Sequence, residues 1–284
     1  MVVLNLQANA HSRIKFIIDS VQISRTANSL KYKKGFIMEL KFLGRGSAFN
    51  TKEGNTSAYI KENGTLFLID CGSNIFERII SKHIFDDINN VYVVITHRHP
   101  DHIGSLGDLI FYCYYVKNIK VNIIENEDDP KSICKYLLLN GVAKDKYKVW
   151  EHTYIPELNF MFYFEETDHC QIFKNYRNYG EENFEEENIF PCYSVILKFD
   201  NGKSIFYSGD TTSVDFGTHD FEDEYYIDCC IAYYDGNVHY NIDKLYNNCN
   251  ENGISPDKIW CMHFDNDKAI KRAKELGFNV VTVE

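Results

Sequence analysis

The chain of 284 residues carries 41 acidic against 30 basic side chains, a formal net charge of −11, and 44 % hydrophobic residues. That is enough apolar chain for one domain with a substantial core, and its acidic balance argues against the one-sided Lys/Arg surface of nucleic-acid binders. No apolar run approaches the ~20 residues of a membrane-spanning helix. Ile14 to Ile18 is too short and interrupted for a signal-peptide core. A soluble cytoplasmic protein is expected. Nine cysteines, odd in number and without framework spacing, fit buried free thiols in a reducing compartment.

Residues 1–37 hold Arg13, Lys15, Arg25, Lys31, Lys33 and Lys34 against Asp19 alone, and read as a basic N-terminal extension. Met38 opens the first strand of the domain proper, which runs over 38–284. That strand ends in a Gly44-x-Gly46 turn. A second strand opens at Gly54-Asn55-Thr56-Ser57, and a third ends at Asp70, well placed to orient groups near a site. Val91 to Ile95 is β-branched and continuous, the signature of a buried strand. Directly after it come His97-x-His99-x-Asp101-His102. Imidazole nitrogen and carboxylate oxygen are ligands that borderline divalent metals accept. A one-residue gap lets His97 and His99 point the same way from extended backbone. Asp101 and His102 are adjacent, so they diverge and can serve a second metal.

Helical patterns over 74–82, 104–115, 129–140, 241–252 and 267–276 alternate with further short strands. His152 falls mid-strand by pattern and reads as structural. His169 follows the strand-like run from Asn159 to Phe164 and precedes the strand from Tyr193 to Leu197. The charged stretch 171–191 between them reads as an insertion: a lid, a segment reaching into a neighbouring subunit's site, or a solvated loop. Asp210 ends a strand in Gly209-Asp210-Thr211, where glycine lets the backbone turn closely. Cys229-Cys230 lies in an apolar strand. His263 ends the strand from Lys258 to Met262.

The His-x-His-x-Asp-His motif after a buried strand resembles the metal-binding motif of the metallo-β-lactamase-fold hydrolases. That resemblance implies an α/β fold, an αββα four-layer sandwich, with two divalent cations at one edge. Zinc is expected, and manganese or iron are open. His97, His99 and His169 would then bind one metal, Asp101, His102 and His263 the other, with Asp210 bridging. Two cations roughly 3.5–4 Å apart can hold a bridging hydroxide at neutral pH. The glycine-turn opening with Asn55 and Ser57 is similar to ribonuclease Z-like phosphodiesterases. In that branch a histidine before a short helix contacts phosphate or protonates the leaving group, and His239 occupies that place. The acidic residue some members carry upstream has no clean match; Asp235 is the candidate. Catalysis is thus assigned to Asp101, Asp210 and His239. No glycine- and lysine-rich tRNA arm is present, so a small phosphodiester is the expected substrate. Small phage and bacterial enzymes similar to this chain include cyclic-nucleotide phosphodiesterases that blunt nucleotide-based immune signalling. Enzymes of this kind are often homodimers, although no residue here demonstrates one. The alternatives are a lactone, β-lactam or thioester hydrolase using the same centre, and a non-catalytic binding member of the fold.

Overall fold

Short β-branched and aromatic runs supply two β-sheets. In a computed structural model of the chain, the residues described are 39–124, 126, 132–169, 191–219, 222–231 and 238–284. The extension 1–37, Asp235 and positions 171–190 of the insertion lie outside them. The first sheet has the order β1-β2-β3-β4-β5-β6, from β1 (Lys41–Gly44), β2 (Ser57–Glu62), β3 (Thr65–Ile69), β4 (Asn90–Val94), β5 (Val121–Ile124) and β6 (Tyr147–Trp150). The second has the order β13-β12-β11-β10-β9-β8-β7. It comprises β7 (Tyr154–Ile155), β8 (Phe160–Glu166), β9 (Tyr193–Phe199), β10 (Ser204–Tyr207), β11 (Glu224–Asp228), β12 (Ile259–Met262) and β13 (Asn279–Val280).

Each sheet is antiparallel at one side and parallel at the other, with β3 to β6 and β10 to β13 as the parallel runs. β4 lies between β3 and β5, and Val91 to Val94 are all buried. A parallel strand covered on both faces reads as a continuous apolar run, which is why this one does not alternate.

Among the described residues there are six α-helices, α1 (Ile75–Ser81), α2 (Pro100–Ile103), α3 (Leu106–Tyr112), α4 (Ser132–Leu139), α5 (Ile242–Asn252) and α6 (Asp267–Glu275), and all but α2 fall on the sequence patterns. Leu66 and Leu68 face outward from β3 and pack with Ile75, Ile79, Leu106 and Leu137. Phe67 between them faces the other sheet and meets Phe160 edge-to-face at 4.9 Å, as the period of two requires. On the far side, Tyr225, Ile227 and Cys261 pack with Ile242, Leu245, Ala269 and Ala273. Helix, sheet, sheet, helix is the expected αββα layering.

Three local expectations are corrected. Pro100–Ile103 forms a single helical turn with Pro100 at its start, where a missing N–H costs nothing, ahead of the helical pattern that the sequence begins at 104. His152 is exposed beyond the end of β6, edge-on to Trp150 at 5.1 Å, and not in a strand. Cys229 and Cys230 lie just past β11, and Cys230 makes only an isolated bridge to Asn241. The eight described cysteines are free. No described helix is long and apolar enough to cross a membrane.

Candidate metal centre

The C-terminal ends of β3, β4, β8, β10, β11 and β12 meet at one edge of the sandwich, and the polar residues just past them converge. Asp70 follows β3, His97 and His99 follow β4, and Asp101 and His102 lie on α2. His169 follows β8, Asp210 follows β10, Asp228 is the last residue of β11, and His263 follows β12. Sharp turns aim several of them. Asp70 and His263 have φ of 66° and 57°, in the left-handed region that non-glycine residues seldom occupy. Gly209 has φ of 59°, and a Cβ there would stand 2.6 Å from the Tyr193 carbonyl oxygen.

All seven residues assigned from the motif resemblance are brought together, in two groups that share Asp210. In one group His102 Nε2 is 3.2 Å from Asp210 Oδ1 and 3.4 Å from Asp101 Oδ2. His263 Nε2 is 3.3 Å from Asp210 Oδ1 and 3.4 Å from Asp101 Oδ2. Four ligands tetrahedral about zinc with bonds of ~2.0–2.1 Å stand about 3.3–3.4 Å apart, so this group has the spacing of a zinc site. In the other group His99 Nδ1 is 3.0 Å from His97 Nε2 and 3.2 Å from His169 Nε2. Asp210 Oδ2 completes it, 3.6 Å and 3.7 Å from those Nε2 atoms. Among the described residues Asp210 Oδ1 and His102 Nε2 are buried without a hydrogen-bond partner, a costly state that a cation between them would relieve.

Three other ring nitrogens have partners outside the ligand groups. His102 Nδ1 donates to Asp70 Oδ2 at 2.8 Å. Asp70 also accepts from the Thr96 amide and hydroxyl, each at 2.8 Å, and His97 Nδ1 lies 3.1 Å from that hydroxyl. One buried carboxylate therefore steadies histidines of both groups, the orienting role expected of Asp70. His169 Nδ1 donates to the Val238 carbonyl at 2.6 Å.

Electrostatics divides the groups. Burial first, then neighbouring imidazoles, holds the His97 pKa well below its ordinary value and takes His99 down to about 4; burial also lowers that of His169. These rings are neutral at pH 7 and present lone pairs. Burial acts in the same direction on His102 and His263, but Asp210 with Asp70 at the first, and with Asp228 at the second, outweighs it. The His102 pKa is held well above its ordinary value, and that of His263 is raised to about 10.

His239 lies at the same edge with its side chain 22 % exposed, Nδ1 donating to Asp228 Oδ2 at 2.8 Å and standing 3.7 Å from Asp210 Oδ2. Asp228 is the site residue the sequence reading missed; that reading turned to Asp235 instead. Its signal was present: an aspartate closing an apolar run, as at Asp70 and Asp210.

A sequence profile described as anti-Pycsar protein Apyc1 matches residues 38–282. The anti-Pycsar protein Apyc1 of Bacillus phage BSP38 is 27 % identical over 250 residues, covering 80 % of this chain and 88 % of the phage protein. The ribonuclease Z of Methanococcus aeolicus is 29 % identical over 163 residues, 57 % of this chain and 47 % of that enzyme. Among solved structures, the metallo-β-lactamase-fold protein YhfI of Bacillus subtilis aligns with a TM-score of 0.62 at 19 % identity, covering 86 % of this chain and 95 % of its own, a likeness of fold. With the fold and the clustered histidines and aspartates, these matches establish that the chain belongs to the Apyc1 family of anti-Pycsar proteins and has the metallo-β-lactamase fold.

Proposed function

We propose that the chain is a dinuclear metal-dependent phosphodiesterase acting on a small phosphodiester, with a cyclic nucleotide as substrate and residues 38–284 as the hydrolase domain. The observation that carries this reading is the pair of ligand groups meeting at Asp210, one with four donor separations of zinc-like length. His97, His99 and His169 would hold one cation, Asp101, His102 and His263 the other, and Asp210 both. Zinc suits this mixed imidazole and carboxylate set; manganese and iron accept the same donors. When bound, the pair supplies Lewis acidity toward a phosphoryl oxygen and activates water at neutral pH.

The chain's own groups do the rest. Asp210 fixes the separation of the two groups, and Asp101 turns its carboxylate to the side of the centre that His263 closes. His239 keeps its Nδ1 proton on Asp228, which leaves Nε2 as the nitrogen available to a leaving oxygen. Membership of the anti-Pycsar family and the ribonuclease Z likeness support a phosphodiester over a carbonyl substrate. The net charge of −11 supports a small diester over a polyanion.

The test is hydrolysis of bis(p-nitrophenyl) phosphate with and without chelator, followed by a panel of purine and pyrimidine cyclic nucleotides. Chelator-sensitive turnover of a diester is expected. Metal-loaded protein that cleaves no diester, but opens lactones or thioesters, would replace this reading with the carbonyl one.

A further inference from the structure

We infer that Asp228 is the positioning residue for two imidazoles with different tasks, His239 and His263, deciding which nitrogen each turns toward the centre. The inference rests on the phosphodiesterase reading only for the task it gives His239.

Asp228 is fully buried at the end of β11. Its backbone N–H donates to Ser208 Oγ at 3.0 Å. Its Oδ2 accepts from the Thr211 N–H at 3.1 Å, next to Asp210, and from His239 Nδ1 at 2.8 Å. Its Oδ1 stands 3.4 Å from His263 Nδ1. Those last two atoms are buried and have no hydrogen-bond partner among the described residues, so each is the other's nearest use. An ionised carboxylate can only accept. Both rings therefore carry a proton on Nδ1 and turn Nε2 away from Asp228. For His263 that is the nitrogen aimed at Asp101 and Asp210. For His239 it is the nitrogen available to substrate: a proton given up there leaves the ring neutral, still held through Nδ1.

The geometry separates the two tasks through an amide. In Asp228→Asn one oxygen becomes an NH2 donor. The Thr211 amide can only donate, so the remaining carbonyl must take the Oδ2 place, where it also serves His239. The NH2 then faces His263 Nδ1. His263 can answer only by moving its proton to Nε2, which removes the lone pair a metal needs. Asp228→Asn should thus spare His239 and damage the Asp101–His102–His263 group, whereas Asp228→Ala releases both rings. A general packing defect would not show this asymmetry.

The experiment uses the full chain loaded with zinc and labelled with 15N-histidine, and reads the ring N–H resonances together with a zinc titration against a chromophoric chelator. In the unsubstituted protein His239 shows a hydrogen-bonded Nδ1–H, and His263 an Nδ1–H that faces Asp228 Oδ1. In Asp228→Asn the His239 resonance persists, the His263 resonance is lost, and affinity for one zinc falls about 10–100-fold. In Asp228→Ala the His239 resonance is lost as well. With zinc restored at saturation, Asp228→Ala should slow diesters with alkoxide leaving groups about tenfold more than p-nitrophenyl diesters, which depend less on a proton donor. Unchanged zinc affinity in Asp228→Asn, or an unchanged His239 Nδ1–H in Asp228→Ala, overturns the inference. Neither readout needs a substrate. Failure of the phosphodiesterase reading would show separately, as absent diester turnover by the unsubstituted protein.

Discussion

Gly72 is the position where one added methyl group tests the metal centre most directly. It follows the β3 turn and presses against the first turn of α2: Cys71 N donates to the His102 carbonyl at 2.7 Å, and Ser105 Oγ to the Gly72 carbonyl at 2.5 Å. A Cβ on Gly72 would stand 2.6 Å from the Asp101 carbonyl carbon, closer still to its oxygen, and 2.8 Å from Asn55 Cβ. Ordinary contact begins near 3.4 Å, so the Asp101 backbone must retreat by at least about 0.8 Å. Metal–ligand distances tolerate only ~0.2 Å. Gly72→Ala is therefore expected to cost about 1–3 kcal/mol of stability, as overpacking does, and to pull Asp101 and His102 out of register with His263 and Asp210. Elemental analysis should find about two metals per chain in the unsubstituted protein and about one in the variant. Turnover should fall ~100-fold, the usual scale for a 1 Å misplacement. Gly107→Ala in α3 is the control, since its Cβ would meet only Val142 Cγ2 at 3.5 Å. Two tightly held metals and normal turnover in Gly72→Ala would refute the reasoning.

Asp210→Ala removes the carboxylate common to both groups, and should bring diester turnover to background while circular dichroism shows the fold retained; residual activity above a few per cent would reject a shared role. Asp70→Asn should weaken metal binding about 10–100-fold, because its NH2 cannot accept from both Thr96 and His102; a chelator competition titration reads this. In metal-free protein the His263 pKa is raised to about 10 from 6.5, so its stabilising charge is complete below about pH 6.5 and is lost as pH rises through about 10. The melting temperature of the metal-free protein should accordingly fall between pH 7 and 10, while the metal-loaded protein, with no Nε2 proton to lose, should hold steady. Parallel pH profiles for the two forms would contradict the assignment.

What the sequence disclosed depended on how local the determining contacts are. Four candidate ligands lie within six positions, and each later one follows an apolar strand, so the family resemblance and chain order together located them. Helices α5 and α6 were legible to within one residue because Asn241 and Asn266 cap their first turns through side-chain oxygens. Asp228 was not legible in this way. Its meaning comes from His239 and His263, 11 and 35 positions away, and from a backbone amide on a neighbouring strand's loop. His152 shows the opposite error: alternation around Trp150 imitates a strand, but pairing of β6 with β5 ends at Trp150. The helical turn of α2 escaped notice because four residues are too few to show a period.

Charge explains why an acidic chain suits this chemistry. Asp70, Asp101, Asp210 and Asp228 are each at most 7 % exposed. Asp70 accepts three hydrogen bonds and is a carboxylate on that account, although burial pushes its pKa up. Four buried negative charges in one cluster would destabilise the fold unless compensated. Two divalent cations cancel them, and without metal the protons on His102 and His263 cancel part of the same charge. Loading with two divalent cations would then release protons and leave the centre close to neutral. A small diester carries one negative charge and would meet a neutral, Lewis-acidic mouth; charges on the outer surface are screened beyond ~8–10 Å. A polyanion would lay many phosphates across a surface of net charge −11, with repulsion acting along its whole length. The same sequence that builds the centre from carboxylates therefore favours a substrate that is small enough to interact with the centre alone.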